Sequence, residues 1–283
     1  MNTASTYRTA VCSFNNFRLQ YGFPVDYPGR ADHFVMYISY CFEMGFSPST
    51  IRSYISGLSF YHKLHNWFDP LELFVVKKLL EGYSRSRRRV DNRAPVTPQI
   101  LHSICTLLPS ICYNDYEAIL FKAAYLLAYF GLLRVSEVVH STWQHHGRAL
   151  LLDDIKFDHS CAVVVAIRQS KTCQMGEPTY LRIPCEADSN MCPVCSLKKY
   201  LAVRPSTQGY FFKHKNDKPL TRAQFSAVLA KCISSSPYKG ANLLSHSFRI
   251  GRASELASKG VPDEAIMKLG RWRSAAYSTY IRM

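Results

Sequence analysis

Along the first ninety residues, apolar side chains return every three or four positions and never settle into alternation. Tyr7, Val11, Phe14, Phe17 and Tyr21 form one series, Phe34, Ile38 and Phe42 a second, and Ile51, Ile55, Leu58 and Tyr61 a third. That period puts each series on one face of a helix. Ser47 and Ser49 stand where the third helix needs a cap, and a fourth helix is predicted after Pro70, through Leu71, Phe74, Leu79 and Leu80. The N-terminal part therefore reads as a small helical bundle without a strand.

Beyond it the periods mix. Helices are predicted at 98–108 and 115–130, the second closed by Gly131 in the place of a left-handed cap. From Ile155 the pattern changes. Ala162-Val-Val-Val-Ala-Ile167 and Tyr180-Leu-Arg-Ile183 are rich in β-formers, and the polar stretch between them holds Lys171 and Gly176, which predicts a hairpin or small antiparallel sheet. Helical spacing then returns to the end, with Thr221 and Ser274 as N-cap candidates and Gly260 and Gly270 as stops. The expected fold class is mainly α with a small antiparallel β-sheet. Between the two parts, Ser84-Arg-Ser-Arg-Arg-Arg-Val-Asp-Asn-Arg93 closes on Ala94-Pro95 and reads as a linker, giving domains 1–84 and 96–283 joined by 85–95.

Charge adds a partner to this picture. The 283 residues carry 35 basic and 20 acidic side chains, a net +15, which points to a polyanion such as nucleic acid. Both parts share the excess: 12 basic against 7 acidic residues in 1–93, and 23 against 13 in 94–283. Arg85, Arg87, Arg88, Arg89 and Arg93 are the candidate DNA contacts, the alternative being a solvated charge run. No apolar run approaches the roughly eighteen residues of a membrane span, and the N-terminus lacks a secretory pattern. An intracellular protein is expected, nuclear if the organism is eukaryotic.

The ten cysteines are scattered, several within apolar stretches such as Tyr40-Cys41-Phe42 and Ile104-Cys105, so they read as small hydrophobes rather than a disulfide scaffold. Cys192-Pro-Val-Cys195, with Cys185 seven residues upstream, is the one spacing that suggests zinc. A second pair at matching separation is missing, and Pro193 suits the first turn of a helix. Neither a metal nor a cofactor is expected.

Metal-free phosphodiester chemistry needs cationic donors for the phosphoryl oxygens, a nucleophile, and an acid for the leaving oxygen. His246-Ser-Phe-Arg249 offers imidazole and guanidinium at i,i+3 on one helix face. Gly131-Leu-Leu-Arg134-Val-Ser-Glu137 puts a charged residue at the close of an apolar helix, where Arg134 needs exposure, an internal pair with Glu137, or an external anion. Lys171 sits near the hairpin tip. Tyr277 and Tyr280 lie among Arg271, Arg273 and Arg282.

Together with Leu269-Gly-Arg-Trp272 and Tyr280-Ile-Arg282, these segments resemble the tyrosine recombinase (phage integrase) family in order and spacing, over nearly the whole chain. The resemblance implies an N-terminal helical core-binding domain of SAM-like type and a mixed α/β catalytic domain, forming a clamp around double-stranded DNA. Gly270-Arg-Trp272 and Ala276-Tyr-Ser-Thr-Tyr280-Ile-Arg282 look most like recombinases of eukaryotic mobile elements, notably DIRS-type retrotransposons and Cryptons.

Carried over by position, Arg134 and Arg249 become the phosphate clamp and His246 a proton-transfer or hydrogen-bonding partner. Lys171 becomes the acid for the 5′-oxygen, and Tyr280 the nucleophile that forms a 3′-phosphotyrosine. Two departures stand out. Nine residues before the nucleophile the family has histidine or tryptophan, whereas here Arg271 holds that place with Trp272 beside it. Only three residues follow Tyr280 in this sequence, where many relatives continue. The resemblance further implies a homo-oligomer, a dimer on a site and a tetramer in a synapse. The competing readings are a type IB topoisomerase and an inactive DNA-binding protein derived from a mobile element.

Overall fold

The computed structural model describes residues 2–87, 91–140, 149–159, 161–168 and 177–282. They form two compact units, Met1–Asp91 and Asn92–Met283.

In the first unit, α1 (Asn2–Gln20), α2 (Ala31–Glu43), α3 (Pro48–Leu64) and α4 (Phe74–Ser86) enclose an aromatic core, with Phe14, Phe17, Phe34, Tyr37, Ile38, Ile51, Ile55 and Leu58 all buried. The Ser47 hydroxyl accepts the Thr50 N–H at 3.1 Å and starts α3, with Pro48 inside its first turn. The helix expected after Pro70 arrives in two pieces, because Asp69 caps a short 3-10 turn at Pro70–Glu72 before the chain extends through Leu73. The expected linker also starts too early. α4 continues through Arg85 to Ser86, since Tyr83 stacks on Phe42 at 3.9 Å and keeps the last turn packed. Residues 88–90 lie outside the described residues. By Ala94 the chain is already bound into the second unit, its N–H donating to the Asn242 carbonyl at 3.0 Å.

The second unit is built round α6 (Asp115–Phe130). Leu120, Ala123, Ala124, Tyr125, Leu126 and Leu127 are buried on every side of it, as befits a helix apolar all round. It follows α5 (Pro98–Ile111) and leads to the single turn α7 (Val135–Val138). Three antiparallel strands come next, in the order β1 (Ile155–Asp158), β2 (Ala162–Ile167), β3 (Thr179–Pro184). Val163 faces Ile183, while Val165 faces Leu181 on one side and Ile155 on the other, so one face of the sheet joins the core. Lys171, between β2 and β3, lies outside the described residues. The chain closes with α8 (Pro193–Val203), α9 (Arg222–Ser234), α10 (Ser247–Ser258), α11 (Asp263–Gly270) and a 3-10 helix at Ala275–Tyr280.

Thr221 caps α9 and Gly260 follows α10 with φ +73°, both as expected. Three other ends differ. Gly131 has φ −83°, and the left-handed residue is the next one, Leu132, at φ 48°. α11 runs through Gly270 and turns left-handed at Arg271, φ 57°. The last segment is 3-10 rather than α. The reason at α11 is packing: a Cβ on Gly270 would stand 1.7 Å from Cζ3 of Trp272, so glycine is needed for the indole to fold back over the helix end. Glycine serves α10 in the same way. A Cβ on Gly251 would stand 1.8 Å from the Val96 carbonyl oxygen, and the Val96 N–H donates to Ser247 O at 3.0 Å, which fixes this helix in the unit. Among the described residues no helix is long and apolar enough to cross a membrane.

Candidate active site

Arg134 ends the turn after α6 and is the residue from which α7 starts. Its backbone N–H and its Nη1 both donate to the Glu137 carboxylate at 2.9 Å. Glu137 is 1% exposed, and its Oε2 also accepts Nη2 of Arg271 at 2.8 Å. One buried carboxylate thus holds two guanidiniums that lie far apart in the sequence. The internal pair with Glu137 is the one observed, and the Arg134 side chain keeps 20% exposure beside it.

Arg249, in the first turn of α10, is 0% exposed. It donates to the carbonyls of Leu132 and Gly270, while Arg271 reaches Leu132 O at 3.4 Å and Gly131 O at 3.5 Å. Leu132 O is the carbonyl that both arginines share, and Leu132 and Arg271 are themselves left-handed. Each left-handed conformation costs about 1–2 kcal/mol at a non-glycine residue. Burial lowers the Arg249 pKa, and the charges of Arg134 and Arg271 lower it further, with Glu137 and Tyr280 opposing. Arg271 is lowered by burial too, against the pull of Glu137. Arginine stays protonated through such shifts, whose first cause at both residues is burial.

The aromatic side of the site is Trp272 and Tyr280. The Arg249 guanidinium lies 4.2 Å from the Trp272 ring centroid and 5.6 Å from that of Tyr280, and the two rings are 4.9 Å apart. His246, the residue that leads into α10, has its ring 5.1 Å from that of Tyr280. The Trp272 Nε1 is buried without an acceptor among the described residues, and so is Nε of Arg249. Such buried donors are costly to leave unmade.

The backbone at Tyr280 is pinned by Ser254 of α10. The Ser254 hydroxyl accepts the Arg282 N–H at 2.8 Å, and its one proton is shared between Ile250 O at 2.9 Å and Tyr280 O at 3.3 Å. Sequence reasoning missed Ser254, because a serine inside a helix carries no distinguishing pattern. It also took Glu137 only as a local partner of Arg134. Tyr277 goes elsewhere: its hydroxyl donates to the Asp263 carboxylate, and that bond raises its pKa. A 3-10 helix aligns i and i+3, so position along the segment does not separate the two tyrosines, but their partners do.

Six predicted residues, Arg134, His246, Arg249, Arg271, Trp272 and Tyr280, are thus brought together. Of the arginines of the basic segment, Arg85 and Arg87 belong to the first unit. Arg85 belongs to α4, and Arg87 lies 3.8 Å over the Phe42 ring while donating to Phe42 O at 2.8 Å. Arg88, Arg89 and Lys171 lie outside the described residues, and Arg93 is half-buried.

The sequence pattern of the phage integrase family matches residues 98–282, well over half of the chain. The chain belongs to that family. An integrase/recombinase xerD homolog from Selenomonas ruminantium is 21% identical over 287 residues, covering 95% of this chain and 79% of the relative. Among solved structures, the XerH site-specific recombinase in a post-cleavage complex with a palindromic difH substrate superimposes with a TM-score of 0.70 at 14% identity, over 98% of this chain and 75% of that one. A lambda integrase dimer on a COC′ core site superimposes at 0.64 and 16%, over 100% and 72%. At such identity the two structures speak for a shared fold. For this phage integrase they agree with the observed plan, a largely helical chain with one small sheet.

Proposed function

We propose that this tyrosine recombinase cuts and rejoins double-stranded DNA, with Tyr280 as the nucleophile. The observation that carries the reading is the convergence on Tyr280 of His246, Arg249 and Trp272, with Arg134 and Arg271 joined behind them through Glu137.

The phenolic oxygen of Tyr280 attacks the scissile phosphorus while the bond from phosphorus to the 5′-oxygen breaks. The phenol passes its proton to the neighbouring His246 imidazole or to water, and the 5′-oxygen gains one from Lys171. A phosphodiester to tyrosine replaces the one to deoxyribose, so the bond energy is kept and a 5′-hydroxyl can reverse the step without ATP. Arg134 and Arg249 hold the non-bridging oxygens and stabilise the charge that builds on them, and His246 hydrogen-bonds beside them. The chemistry of this set needs no divalent ion.

The place of the family's histidine or tryptophan is filled by Trp272, whose buried indole N–H has no acceptor among the described residues, while Arg271 supports Glu137 from behind. The protein works as dimers on its sites and as a tetramer in the synapse. Its kinship with the recombinases of eukaryotic mobile elements rests on the 270–282 sequence alone. The reading is tested by incubating the full chain with nicked suicide duplexes drawn from the ends of its own genetic element, without added divalent cations. A covalent adduct that maps to Tyr280 is expected. An adduct on Tyr277, or cleavage only with Mg²⁺, would overturn it.

A further inference from the structure

Far from the nucleophile in sequence, three cysteines meet. Cys185 directly follows β3, its N–H held by Cys161 O at 2.9 Å, and Cys192 and Cys195 begin α8. The three sulfur atoms lie within 4.8 Å of one another, with Cys185 Sγ and Cys192 Sγ at 3.2 Å. Thiolates bound about 2.3 Å from a common zinc ion stand roughly 3.8 Å apart in tetrahedral geometry, so the observed spacing brackets that of a shared ion.

The environment of Cys192 points the same way. It is 0% exposed, and its sulfur accepts the N–H of Glu186 at 3.4 Å and of Cys195 at 3.5 Å. Two backbone donors converging on one buried sulfur at a helix start favour the thiolate form that a metal requires. A disulfide between Cys185 and Cys192 would use two of the sulfurs, remove the charge that those N–H groups serve, and leave Cys195 without a role. Metal ligation uses all three.

We propose that Cys185, Cys192 and Cys195 form a binding site for a thiophilic metal ion, zinc in a cell, with the fourth position open to solvent. Soft thiolates select such ions over magnesium or calcium. Among the described residues no fourth cysteine, histidine or carboxylate joins the group. The nearest carboxylate in the chain, Glu186, is turned to Arg252 at 3.6 Å. Cys185 is exposed and supplies the open side. The ion ties the end of the sheet to α8, and through the Glu186–Arg252 pair the tie extends to α10, which carries Arg249. The proposal departs from the sequence expectation of no metal because the fold brings Cys185, seven residues upstream, beside the pair. The role is structural and separate from phosphoryl transfer.

The test uses the full chain, reduced and freed of metal, and titrated with Co²⁺ under anaerobic conditions. Sulfur-to-cobalt charge-transfer absorption saturating at one ion per chain is expected, with added Zn²⁺ bleaching it. Cys185→Ser, an exposed position whose change leaves folding intact, should weaken Co²⁺ binding at least tenfold, and Cys195→Ser likewise. Zn²⁺ should raise the melting temperature of the wild type and not of either variant. The proposal fails if no charge-transfer band appears, if the band survives Cys185→Ser together with Cys195→Ser, or if mild oxidation of protein purified with Zn²⁺ yields a Cys185–Cys192 disulfide as fast as in metal-free protein.

Discussion

Arg18 in the N-terminal unit and Arg249 in the C-terminal unit are both 0% exposed, and each guanidinium lies against two aromatic rings, Phe14 and Tyr27 in the first case, Trp272 and Tyr280 in the second. Their polar surroundings differ. Arg18 donates to Asp26 O at 2.7 Å, Val25 O at 3.0 Å and Asn15 Oδ1 at 2.8 Å, and apart from burial its strongest electrostatic neighbours, Tyr27 and Asp26, favour its charge. Arg249 has two carbonyls and two further guanidiniums, and among the described residues Glu137 is the single carboxylate paired with Arg134 and Arg271. Burial of a charge is thus shared by a purely structural residue and by a site residue. The surplus of like charge beside it marks the site.

The largest expected effect separates the tyrosines of the two pockets. Tyr280→Phe removes the attacking oxygen and should abolish the covalent adduct on a suicide duplex while leaving DNA binding unchanged in a mobility-shift assay. Tyr27→Phe and Tyr277→Phe should both still form it. An adduct with Tyr280→Phe would end the assignment.

Next come the arginines themselves. Arg249→Ala should slow single-turnover cleavage by a hundredfold or more, as expected when an oxyanion donor worth about 3–4 kcal/mol is lost. Arg249→Lys, which keeps the charge but not the planar fork, should fold and still be slow. Arg18→Ala should leave cleavage by folded protein nearly unchanged and lower stability by about 2–4 kcal/mol in urea unfolding, because a fully buried side chain and its three hydrogen bonds are lost. Equal catalytic losses at Arg18 and Arg249 would remove the distinction between the pockets.

A smaller effect reads the surplus charge directly. Orthovanadate or phosphate at about ten times its dissociation constant should stabilise the wild type by about 1.4 kcal/mol relative to chloride of equal ionic strength. The gain should persist in Arg18→Ala and vanish in Arg249→Ala. Stabilisation that survives in Arg249→Ala would place the anion elsewhere.

The smallest effect concerns Tyr277. Its hydrogen bond to Asp263 raises its folded pKa, so the stability it adds is fully present below the unfolded value near pH 10 and is lost as pH rises through the folded value. Wild type should exceed Tyr277→Phe in stability by a constant margin from pH 6 to about 9, and the margin should shrink in stronger alkali. A margin that shrinks between pH 6 and 9 would contradict this pairing.

What the sequence by itself determined was local. The helical faces of Phe14 and Phe17 and of Ile51, Ile55 and Leu58, the caps at Ser47 and Thr221, and the pairing of Ala162–Ile167 with Thr179–Pro184 each depend on a few neighbouring residues, whose periodicity or hydrogen-bonding side chain is visible in the order of letters. The candidate residues were also legible, because family spacing preserves them. The tertiary structure alone decided how they meet. Glu137 bridges Arg134 to Arg271, Ser254 fixes the backbone of Tyr280, Tyr277 turns to Asp263 while Tyr280 turns to His246, and three cysteines from two elements share one corner. Those partners are separated in the chain by helices and turns whose packing sets their distance, and left-handed Leu132 and Arg271 hold conformations that only the surrounding contacts impose. A charge pattern in sequence shows which groups are available, whereas the sign and excess of charge at a point depend on three-dimensional distance, since Coulomb interactions act through space and not along the chain.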